Sequence, residues 1–577
     1  MLEMLKKFFY FCNKLNRKKL YVSIILGVID SLFTGLKIPA AFFAIQAVLE
    51  HNIDNAVIIK VLSIMIVSCL GKMITNRFSQ MLQTEAGYNT CAGKRIEIAE
   101  HLRYLPMGYF NEASLGHITS VTTNTMEQVG DIATRAIIMV VQGAISTIII
   151  GVFIFVFDIR IGLIALTGII VFLIVNTYTN KAVARLADGK IKTDKDLVGA
   201  ILEYIQGIAE IRNYNLVGTS SKLFNIIEKK RATDIKIEIA AIPAVGVQML
   251  VSKLTGVAIV ACSLYFYFNG SMQLVYTIVM MLCSFIIFES LDTAGIYTAL
   301  VRVIAKGVDL ANDILQLPPM DINGEDIKPT SNDLALQNVS FAYENRKIID
   351  DISLNIKERT TTAIVGPSGS GKTTIAMLLA RFWDIDEGAV LLGGKNVKQY
   401  SFDSLMQNYS FVFQRVYLFE DTIANNIRFG NTQAPMEQVI DASKKACCHD
   451  FIMNLPNGYD TIIGEGGASL SGGEKQRIAI ARAIMKDAPI IILDEATANI
   501  DPENEMELTQ AIENLTKEKT IIMIAHRLKT VRNADNIIVV DNGKIIQQGT
   551  HNDLMNVDGV YKNFITSRNQ AVSWKLS

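Results

Sequence analysis

The sequence predicts an α-helical membrane domain followed by an α/β domain. Half of the 577 residues are hydrophobic and the mean hydropathy is +0.30, which is high for a water-soluble protein. Six apolar stretches of spanning length lie before residue 320, and strand-like runs alternate with helical ones after residue 333. We expect six membrane helices with long cytoplasmic extensions over 1–318, a Pro-containing polar linker over 319–332, and an α/β domain over 333–577.

Each apolar stretch approaches or exceeds the ~20 residues that a helix needs to cross a bilayer. The N-terminus is basic, but the apolar stretch after it is too long for a signal peptide and lacks a small-residue cleavage pattern. We therefore expect an uncleaved first membrane helix. The predicted spans are Leu20–Leu49, Ala56–Thr75, Ile132–Phe157, Ile159–Thr179, Ile242–Phe268 and Leu274–Ala299.

Lys and Arg are distributed unevenly among the segments that connect the spans. The short connections Glu50–Asn55, Asp158 and Asn269–Gln273 contain neither residue, whereas Arg77–Thr125 and Lys181–Lys236 contain many. The positive-inside rule therefore places the N-terminus and both long connections in the cytoplasm. Because six crossings return the chain to the same side, we expect a multi-pass plasma-membrane protein whose α/β domain is cytoplasmic.

The two long connections have helical patterning and would extend the membrane helices into the cytosol. Pro and Gly mark a turn between two such extensions at Leu105–Gly116, and Leu202–Asn215 resembles a second turn region. We expect these two corners to contact the α/β domain.

Five ionisable residues lie inside the predicted spans, where each costs about 2.5–3.5 kcal/mol at the bilayer centre. Asp30 and Lys37 are seven residues apart, which predicts one helix face, and Lys253 and Glu289 are expected at nearly equal depth. Asp292 lies on the sixth span. Two interpretations remain open: ion pairs that hold the helices together, or the lining of a cavity for a charged or zwitterionic substrate.

A glycine-rich motif in the α/β domain joins a strand-like run to an amphipathic helical run. The apolar run Ala363–Val365 predicts a buried parallel strand, and the following GPSGSGKTT has P-loop spacing. Glycines let consecutive N–H groups turn toward phosphate oxygens, and the helix N-terminus adds partial positive charge. Lys372 can reach the β- and γ-phosphates, and the Thr373 hydroxyl can ligate Mg²⁺.

The motif therefore predicts a site for a nucleoside triphosphate with Mg²⁺. The binding residues expected from it are Gly366, Ser368, Gly369, Ser370, Gly371, Lys372, Thr373 and Thr374.

Charge and cysteine content exclude other classes of protein. The formal net charge is -1, from 55 Lys and Arg against 56 Asp and Glu, so no basic field favours nucleic acid. The seven cysteines show neither C-x-x-C spacing nor the His spacing of a metal site, which indicates free thiols.

Two further motifs resemble those of the ABC transporter family. Leu470–Arg477 (LSGGEKQR) resembles the ABC signature, and Ile490–Glu495 (IIILDE) resembles the Walker B strand with its adjacent carboxylate. With the P-loop and the six preceding spans, nearly the whole chain is similar to an ABC half-transporter of the exporter fold. The resemblance implies ATP hydrolysis coupled to transport.

The resemblance also implies roles for single residues at the end of the sheet. Asp494 would bind a Mg²⁺-bound water, and Glu495 would orient or deprotonate the attacking water. Gln414 matches the glutamine that reaches Mg²⁺ and senses the γ-phosphate. Tyr343 matches the aromatic residue that stacks on adenine, and His526 matches the histidine that holds the γ-phosphate. The implied catalytic residues are Lys372, Glu495 and His526.

In this family, LSGGE begins a helix whose N-terminus binds the γ-phosphate held by another subunit. Ser471 and Gly473 would make these contacts. One chain has one P-loop and one LSGGE, so the resemblance implies a dimer, with a homodimer and a heterodimer both open. Within Ala496–Asp501, Asn499 replaces the alanine often seen in the loop that crosses the dimer interface.

The mechanism implied by the resemblance is alternating access in the bilayer, with export of a small-molecule substrate such as a drug, lipid or peptide. An alternative is import of an iron–siderophore-like chelate, because Glu289–Val303 and Leu202–Asn215 faintly resemble siderophore importers of this fold. A further alternative is an ATP-gated channel or regulator. Glu495 and His526 favour turnover, and the six spans argue against a soluble ATPase that acts on nucleic acid.

Overall fold

The computed structural model describes residues 2–110, 112–214, 221–320, 324–343, 346–467, 469–494, 502–524 and 531–566. The chain forms two compact units. The first comprises Met1–Arg103 and Asn111–Leu317, and the second comprises Tyr104–Phe110 and Pro318–Ser577.

The first unit is helical throughout, apart from its connecting turns. Six of its segments are long and apolar enough to cross a membrane, which confirms the six predicted spans. Its helices are α1 (Leu2–Phe11), α2 (Lys14–Gly35), α3 (Lys37–Leu49), α4 (Asn55–Leu102), α5 (Glu112–Ser120), α6 (Met126–Phe157), α7 (Ile159–Gln206), α8 (Ile208–Asn213), α9 (Ser221–Phe268) and α10 (Leu274–Leu315).

The helices of this unit pack in pairs, α6 on α10, α7 on α9 and α2 on α4. A single residue, Asp158, suffices to connect α6 to α7 because its carboxylate caps α7, accepting from the Arg160 N–H at 2.9 Å. The Arg160 guanidinium donates to the same carboxylate and to the Ser271 carbonyl, and it lies 3.9 Å from the centroid of the Phe266 ring. Arg160 thereby joins the turn at Asp158 to the turn between α9 and α10.

The helix that carries Asp30 and Lys37 is divided between them. The helix is interrupted at Leu36, because Pro39 has no N–H to donate to the Gly35 carbonyl. Asp30 is buried, at 1% exposure, whereas Lys37 is exposed.

Two carboxylates in the predicted spans, those of the buried Asp30 and the half-buried Asp292, accept hydrogen bonds from neutral donors. The Gln142 amide and the Thr75 hydroxyl donate to Asp30, the latter at 3.4 Å. The Ser252 hydroxyl donates to Asp292 at 3.1 Å. Lys253 and Glu289 are exposed, as is Lys37, and within the described ranges none of the five ionisable residues forms an ion pair. They do not therefore hold the helices together as salt bridges within one chain.

The second unit is an α/β domain with two sheets, as predicted. The larger sheet has the order β10-β9-β3-β8-β7-β6, in which β9, β3, β8, β7 and β6 are parallel and β10 is antiparallel. The smaller sheet is antiparallel, in the order β2-β1-β4-β5. The strands are β1 (Leu334–Tyr343), β2 (Arg346–Ile356), β3 (Thr361–Val365), β4 (Glu387–Leu392), β5 (Lys395–Asn396), β6 (Tyr409–Val412), β7 (Ile490–Asp494), β8 (Thr520–Ile524), β9 (Asn536–Asp541) and β10 (Lys544–Gly549).

Three hydrophobic clusters of described residues stabilise this unit: one around α11 and the smaller sheet, one around β7 and α16, and one that packs β3 and β9 against Tyr561 and Ile565. Strands such as β7 are buried on both faces, which explains their continuous runs of Ile. The helices are α11 (Lys372–Leu379), α12 (Phe402–Met406), α13 (Ile423–Arg428), α14 (Met436–Lys445), α15 (His449–Met453), α16 (Gly472–Lys486), α17 (Pro502–Thr516) and α18 (His551–Met555).

The described part of the predicted linker is bonded to the α/β domain. The Glu325 N–H donates to the Gln399 carbonyl and its carbonyl accepts from the Ser401 N–H, both at 2.8 Å. The Ser404 hydroxyl donates to the Ile327 carbonyl at 2.7 Å. The polar composition of this segment therefore reflects its surface course rather than freedom from the domain.

The first of the two predicted corners also belongs to this unit. In the 104–110 segment (Tyr104–Phe110), the Met107 N–H donates to the Phe382 carbonyl at 3.1 Å, and the Tyr104 carbonyl accepts from the Met320 N–H at 2.9 Å. The expected contact of this corner with the α/β domain is therefore present.

Cysteine chemistry plays no visible part in the fold. All seven cysteines are free, and burial raises the pKa of the Cys448 thiol to about 12. A thiol with such a pKa is protonated at neutral pH and therefore a poor nucleophile. Among the described residues, no cluster of His, Cys, Asp and Glu could hold a metal ion.

We predict that Asp30→Ala destabilises the first unit by about 1–3 kcal/mol, because it leaves the Gln142 amide without its buried acceptor. Asp30→Asn, which keeps an acceptor oxygen, should cost less. Lys37→Ala, at an exposed position, should change stability by no more than about 0.5 kcal/mol. Thermal unfolding of the detergent-solubilised protein measures all three, and equal midpoints for Asp30→Ala and Lys37→Ala would contradict this prediction.

Candidate functional site

The GPSGSGKTT loop connects β3 to α11 through three glycines with positive φ. These angles are 151° at Gly366, 79° at Gly369 and 104° at Gly371. A Cβ on Gly366 would overlap the carbonyl oxygen of Val540, and one on Gly371 would lie 2.8 Å from the Ile349 side chain. The loop can therefore take this path only with glycine at these two positions.

The loop closes around the side chain of Lys372 at the N-terminus of α11. Lys372 is 7% exposed, and its amine donates to the carbonyls of Gly366 at 3.1 Å and Pro367 at 2.7 Å. Ser370 Oγ is buried and has no hydrogen-bond partner among the described residues. Gly371 caps α11 without a side-chain hydrogen bond, and the N-terminus of a helix carries partial positive charge that favours anions. A buried cation, an unsatisfied hydroxyl and a helix N-terminus together fit the phosphate groups of a nucleotide.

The other predicted residues of the loop surround this centre. Ser368 and Gly369 are exposed at its tip, Thr373 is half-buried and Thr374 is buried in the first turn of α11. The loop therefore presents polar groups from its tip to its base.

Parallel pairing brings the ends of four neighbouring strands to one edge of the larger sheet. Within this order, the loop follows β3, Asp494 ends β7, and Gln414 comes two residues after β6. Asp494 is 7% exposed, whereas Gln414 is exposed. Glu495 and His526, which follow β7 and β8 in sequence, lie outside the described residues, as does Asn499.

Tyr343 ends β1 and is half-buried beside the loop. Its hydroxyl lies 3.4 Å from the Thr374 hydroxyl, and its ring meets those of Trp383 and Phe341 edge to face, at centroid distances of 4.7 and 4.9 Å. The residue predicted to stack on adenine is thus adjacent to the P-loop helix.

The signature motif forms the start of α16 through a capping box. The Ser471 N–H donates to Glu474 Oε2 at 2.7 Å, and the Glu474 N–H donates to Ser471 Oγ at 3.4 Å. Ser471 and Gly472 are exposed and Gly473 is buried. The S-x-x-E spacing therefore fixes this helix end at the surface, where a ligand held by another molecule can reach it.

Sequence reasoning missed a polar network behind the signature helix. Arg482 donates to the Asn426 carbonyl and to the Tyr417 carbonyl, both at 2.7 Å, and Asn426 donates to the Phe419 carbonyl at 2.9 Å. Burial lowers the pKa of Arg482 to about 10, so it stays protonated at neutral pH. The network orders the segment after Gln414. Nothing local in the sequence identifies it, because its members are far apart in the chain.

Comparison with known proteins decides the family. The pattern described as ABC transporter matches residues 349–498, and the pattern described as ABC transporter transmembrane region matches residues 22–291. Together the two matches cover most of the chain.

This chain belongs to the ABC transporter family.

Individual ABC transporters are similar over most of their length. An ATP-dependent lipid A-core flippase of Legionella pneumophila (strain Paris) is 36% identical over 474 residues, covering 81% of this chain and 80% of the relative. YgaD of Bacillus subtilis (strain 168), named as a candidate multidrug export ATP-binding/permease protein, is 31% identical over 498 residues, covering 82% and 83%. A bacterial Atm1-family ABC exporter with ATP bound has the same fold, with a TM-score of 0.86 at 24% identity over 96% of this chain and 99% of the other.

These similarities confirm the main predictions from the sequence. The protein is an ATP-driven transporter of the exporter fold, a multi-pass plasma-membrane protein with a cytoplasmic ATPase domain that hydrolyses ATP. It belongs with the half-transporters, which typically dimerise. The relatives named as flippase or exporter do not favour the import alternative.

We predict that Gly366→Ala prevents ATP binding and destabilises the ATPase domain, because its Cβ overlaps the Val540 carbonyl. Gly369→Ala is the matched control: it also places alanine at positive φ, at a cost of about 1–2 kcal/mol, but its Cβ enters open space. Thermal unfolding in the absence of nucleotide measures the loss of stability separately from the loss of ATP binding. Equal unfolding midpoints for the two variants would contradict the overlap argument.

Proposed function

We propose that two copies of this chain form a homodimer with two working ATP sites, which exports an amphiphilic lipid with an anionic headgroup. The single observation that carries the substrate class is a groove along α4, described below. The lipid A-core flippase among the relatives supports a lipid rather than a drug or peptide.

ATP would bind with its phosphates in the P-loop. Lys372 would neutralise phosphate charge, Ser370 would gain a partner for its buried hydroxyl, and the N-terminus of α11 would face the same oxygens. Tyr343 would stack on the base.

Oxygen ligands suit Mg²⁺, which accompanies nucleoside triphosphates and offsets their charge. The Thr373 hydroxyl and the Gln414 amide oxygen would hold it, with the Asp494 carboxylate on a bound water. Glu495 would orient or deprotonate the attacking water, and His526 would hold the γ-phosphate.

A dimer is needed because one chain has one P-loop and one signature. The exposed start of α16, with Ser471 at the surface and Gly473 behind it, suits the γ-phosphate of ATP held by the partner. ATP that binds only the closed pair of ATPase domains provides the differential affinity that alternating access requires.

The groove lies on one face of α4, at the cytoplasmic end of the second predicted span. It is shallow and open to solvent, and its lining residues recur at helical spacing. They are Met73, Asn76, Arg77, Gln80, Met81, Thr84 and Glu85.

One helix alone forms this groove, so a second surface must complete it. Methionines suit acyl chains of varied shape, and an arginine at the edge of the bilayer suits an anionic headgroup. These properties together favour an amphiphile that enters from the cytoplasmic leaflet.

The intramembrane charges divide into two groups under this proposal. Asp30 and Asp292 are bonded within the chain and would shape the helix packing. Lys37, Lys253 and Glu289 are exposed and would remain for contact with substrate or the second subunit.

We predict that Glu495→Gln lowers ATP turnover by at least about 100-fold, because the attacking water loses its base. ATP binding should persist, so labelled ATP should stay bound to the variant. Glu513→Gln, at an exposed position on α17, is the control and should hydrolyse ATP at the wild-type rate. Undiminished hydrolysis by Glu495→Gln would show that another group is the base.

We predict that Arg77→Ala slows movement of an anionic lipid about tenfold, because one charge-assisted hydrogen bond is lost. Movement of a zwitterionic lipid and basal ATP hydrolysis should be unchanged. The assay uses vesicles with ATP added outside, so that only molecules with outward-facing ATPase domains act. Fluorescent lipids should then move from the outer leaflet to the inner one.

The control for this assay is Arg231→Ala, at an exposed arginine on α9. Wild-type movement of the anionic lipid by Arg77→Ala would overturn the headgroup contact. Accumulation of a labelled drug or peptide, with no lipid movement, would overturn the substrate class. ATP-driven loss of a preloaded iron chelate would establish import.

A further inference from the structure

The 104–110 segment rests on two consecutive aromatic residues, Phe382 and Trp383. Its Met107 N–H donates to the Phe382 carbonyl at 3.1 Å. Gly108 lies against the Trp383 indole so closely that a Cβ at this position would overlap the six-membered ring. We call the surface formed by Phe382 and Trp383 the seat of the segment. Its shape depends on the position of the indole.

The indole also touches the residue proposed to stack on adenine. The Trp383 and Tyr343 rings meet at 4.7 Å with an interplanar angle of 70°, and Phe341 packs against both, at 5.5 and 4.9 Å. Such edge-to-face pairs are each worth about 0.5–1.5 kcal/mol beyond the burial of their surface, so the rings resist independent movement.

Phe382 points to the other end of the nucleotide site. Its ring lies 5.5 Å from that of Phe411 and 6.0 Å from that of Phe413, and Phe411 and Phe413 stack at 4.3 Å. Phe413 immediately precedes Gln414. One dipeptide therefore joins the 104–110 segment to the base side of the site and to the strand end that carries Gln414.

We propose that Trp383 is a positioning residue that couples occupancy of the base site to the 104–110 segment. A base stacked on Tyr343 fixes that ring, the ring fixes the indole, and the indole fixes the surface that receives Gly108. Phe382 forms a second series of contacts, through the Phe411 and Phe413 rings, that leads to Gln414. The inference rests on nucleotide binding at the proposed ATP site and on the assignment of Tyr343 to the base, and it is independent of the transported substrate.

Tryptophan fluorescence tests directly whether a bound base changes the surroundings of the Trp383 indole through Tyr343. The chain has two tryptophans, so Trp574→Phe leaves Trp383 as the only emitter. ATP and ADP should change its emission, whereas Mg²⁺-tripolyphosphate, which supplies phosphates without a base, should not. Tyr343→Ala should abolish the ATP-induced change at concentrations where retention of radiolabelled ATP shows that the site is filled.

Two results of this experiment would overturn the proposal. One is unchanged emission while radiolabelled ATP is bound, and the other is an equal change with tripolyphosphate. Absence of ATP binding in the wild-type protein would instead contradict the ATP site itself, so the two failures are distinguishable.

Substitutions at the seat test the link to the 104–110 segment. Gly108→Ala should displace the indole and lower ATP turnover at least about tenfold, because small displacements near the chemistry carry large rate penalties. Trp383→Phe removes the ring that the new Cβ would meet, so Gly108→Ala with Trp383→Phe should recover much of that loss. Gly116→Ala, where a Cβ meets open space, is the control.

A double variant as slow as Gly108→Ala alone, with both folded by thermal unfolding, would overturn the steric link. If Gly108→Ala does not fold, the fluorescence experiment decides the proposal, because it uses only the native segment.

Discussion

Parallel pairing of four neighbouring strands is the constraint on which the ATP site depends. Because β3, β8, β7 and β6 run in one direction, every residue that follows one of them emerges at the same edge. The P-loop, the Asp494 carboxylate and the Gln414 amide therefore come together although long stretches of chain separate them. Burial of the strands on both faces holds this arrangement, and the glycines of the loop then set where phosphates can lie.

Much of this architecture was readable from the sequence because it depends on local patterns. Runs of spanning length identified the membrane helices, and the strand, glycine loop and helix around Lys372 identified the phosphate site. The S-x-x-E spacing at Ser471 likewise identified the end of a helix. In each case the physical cause, such as backbone φ, periodicity or capping, acts within a few residues.

What the sequence could not supply depends on contacts between distant residues. The buried Asp30 accepts from the Gln142 amide of another helix, a partner that spacing within one helix does not reveal. The contact of Gly108 with Trp383 could not be predicted from local sequence patterns, since neither residue is unusual in its own segment. The hydrogen bonds that the predicted linker makes along the surface of the α/β domain likewise join residues far apart in the chain.

The 104–110 segment makes the ATPase domain discontinuous in sequence, and this has a consequence for biosynthesis. The ribosome delivers the segment first, then the helices from α5 to α10, and only afterwards the Phe382–Trp383 seat. Domains generally fold as units during synthesis, but this one must wait for a piece already held between membrane helices. A chain that inserts its helices with the wrong number of crossings would hold the segment or the rest of the domain on the wrong side of the bilayer. Completion of the ATPase domain therefore requires that the segment and the rest of the domain lie on the same side of the bilayer.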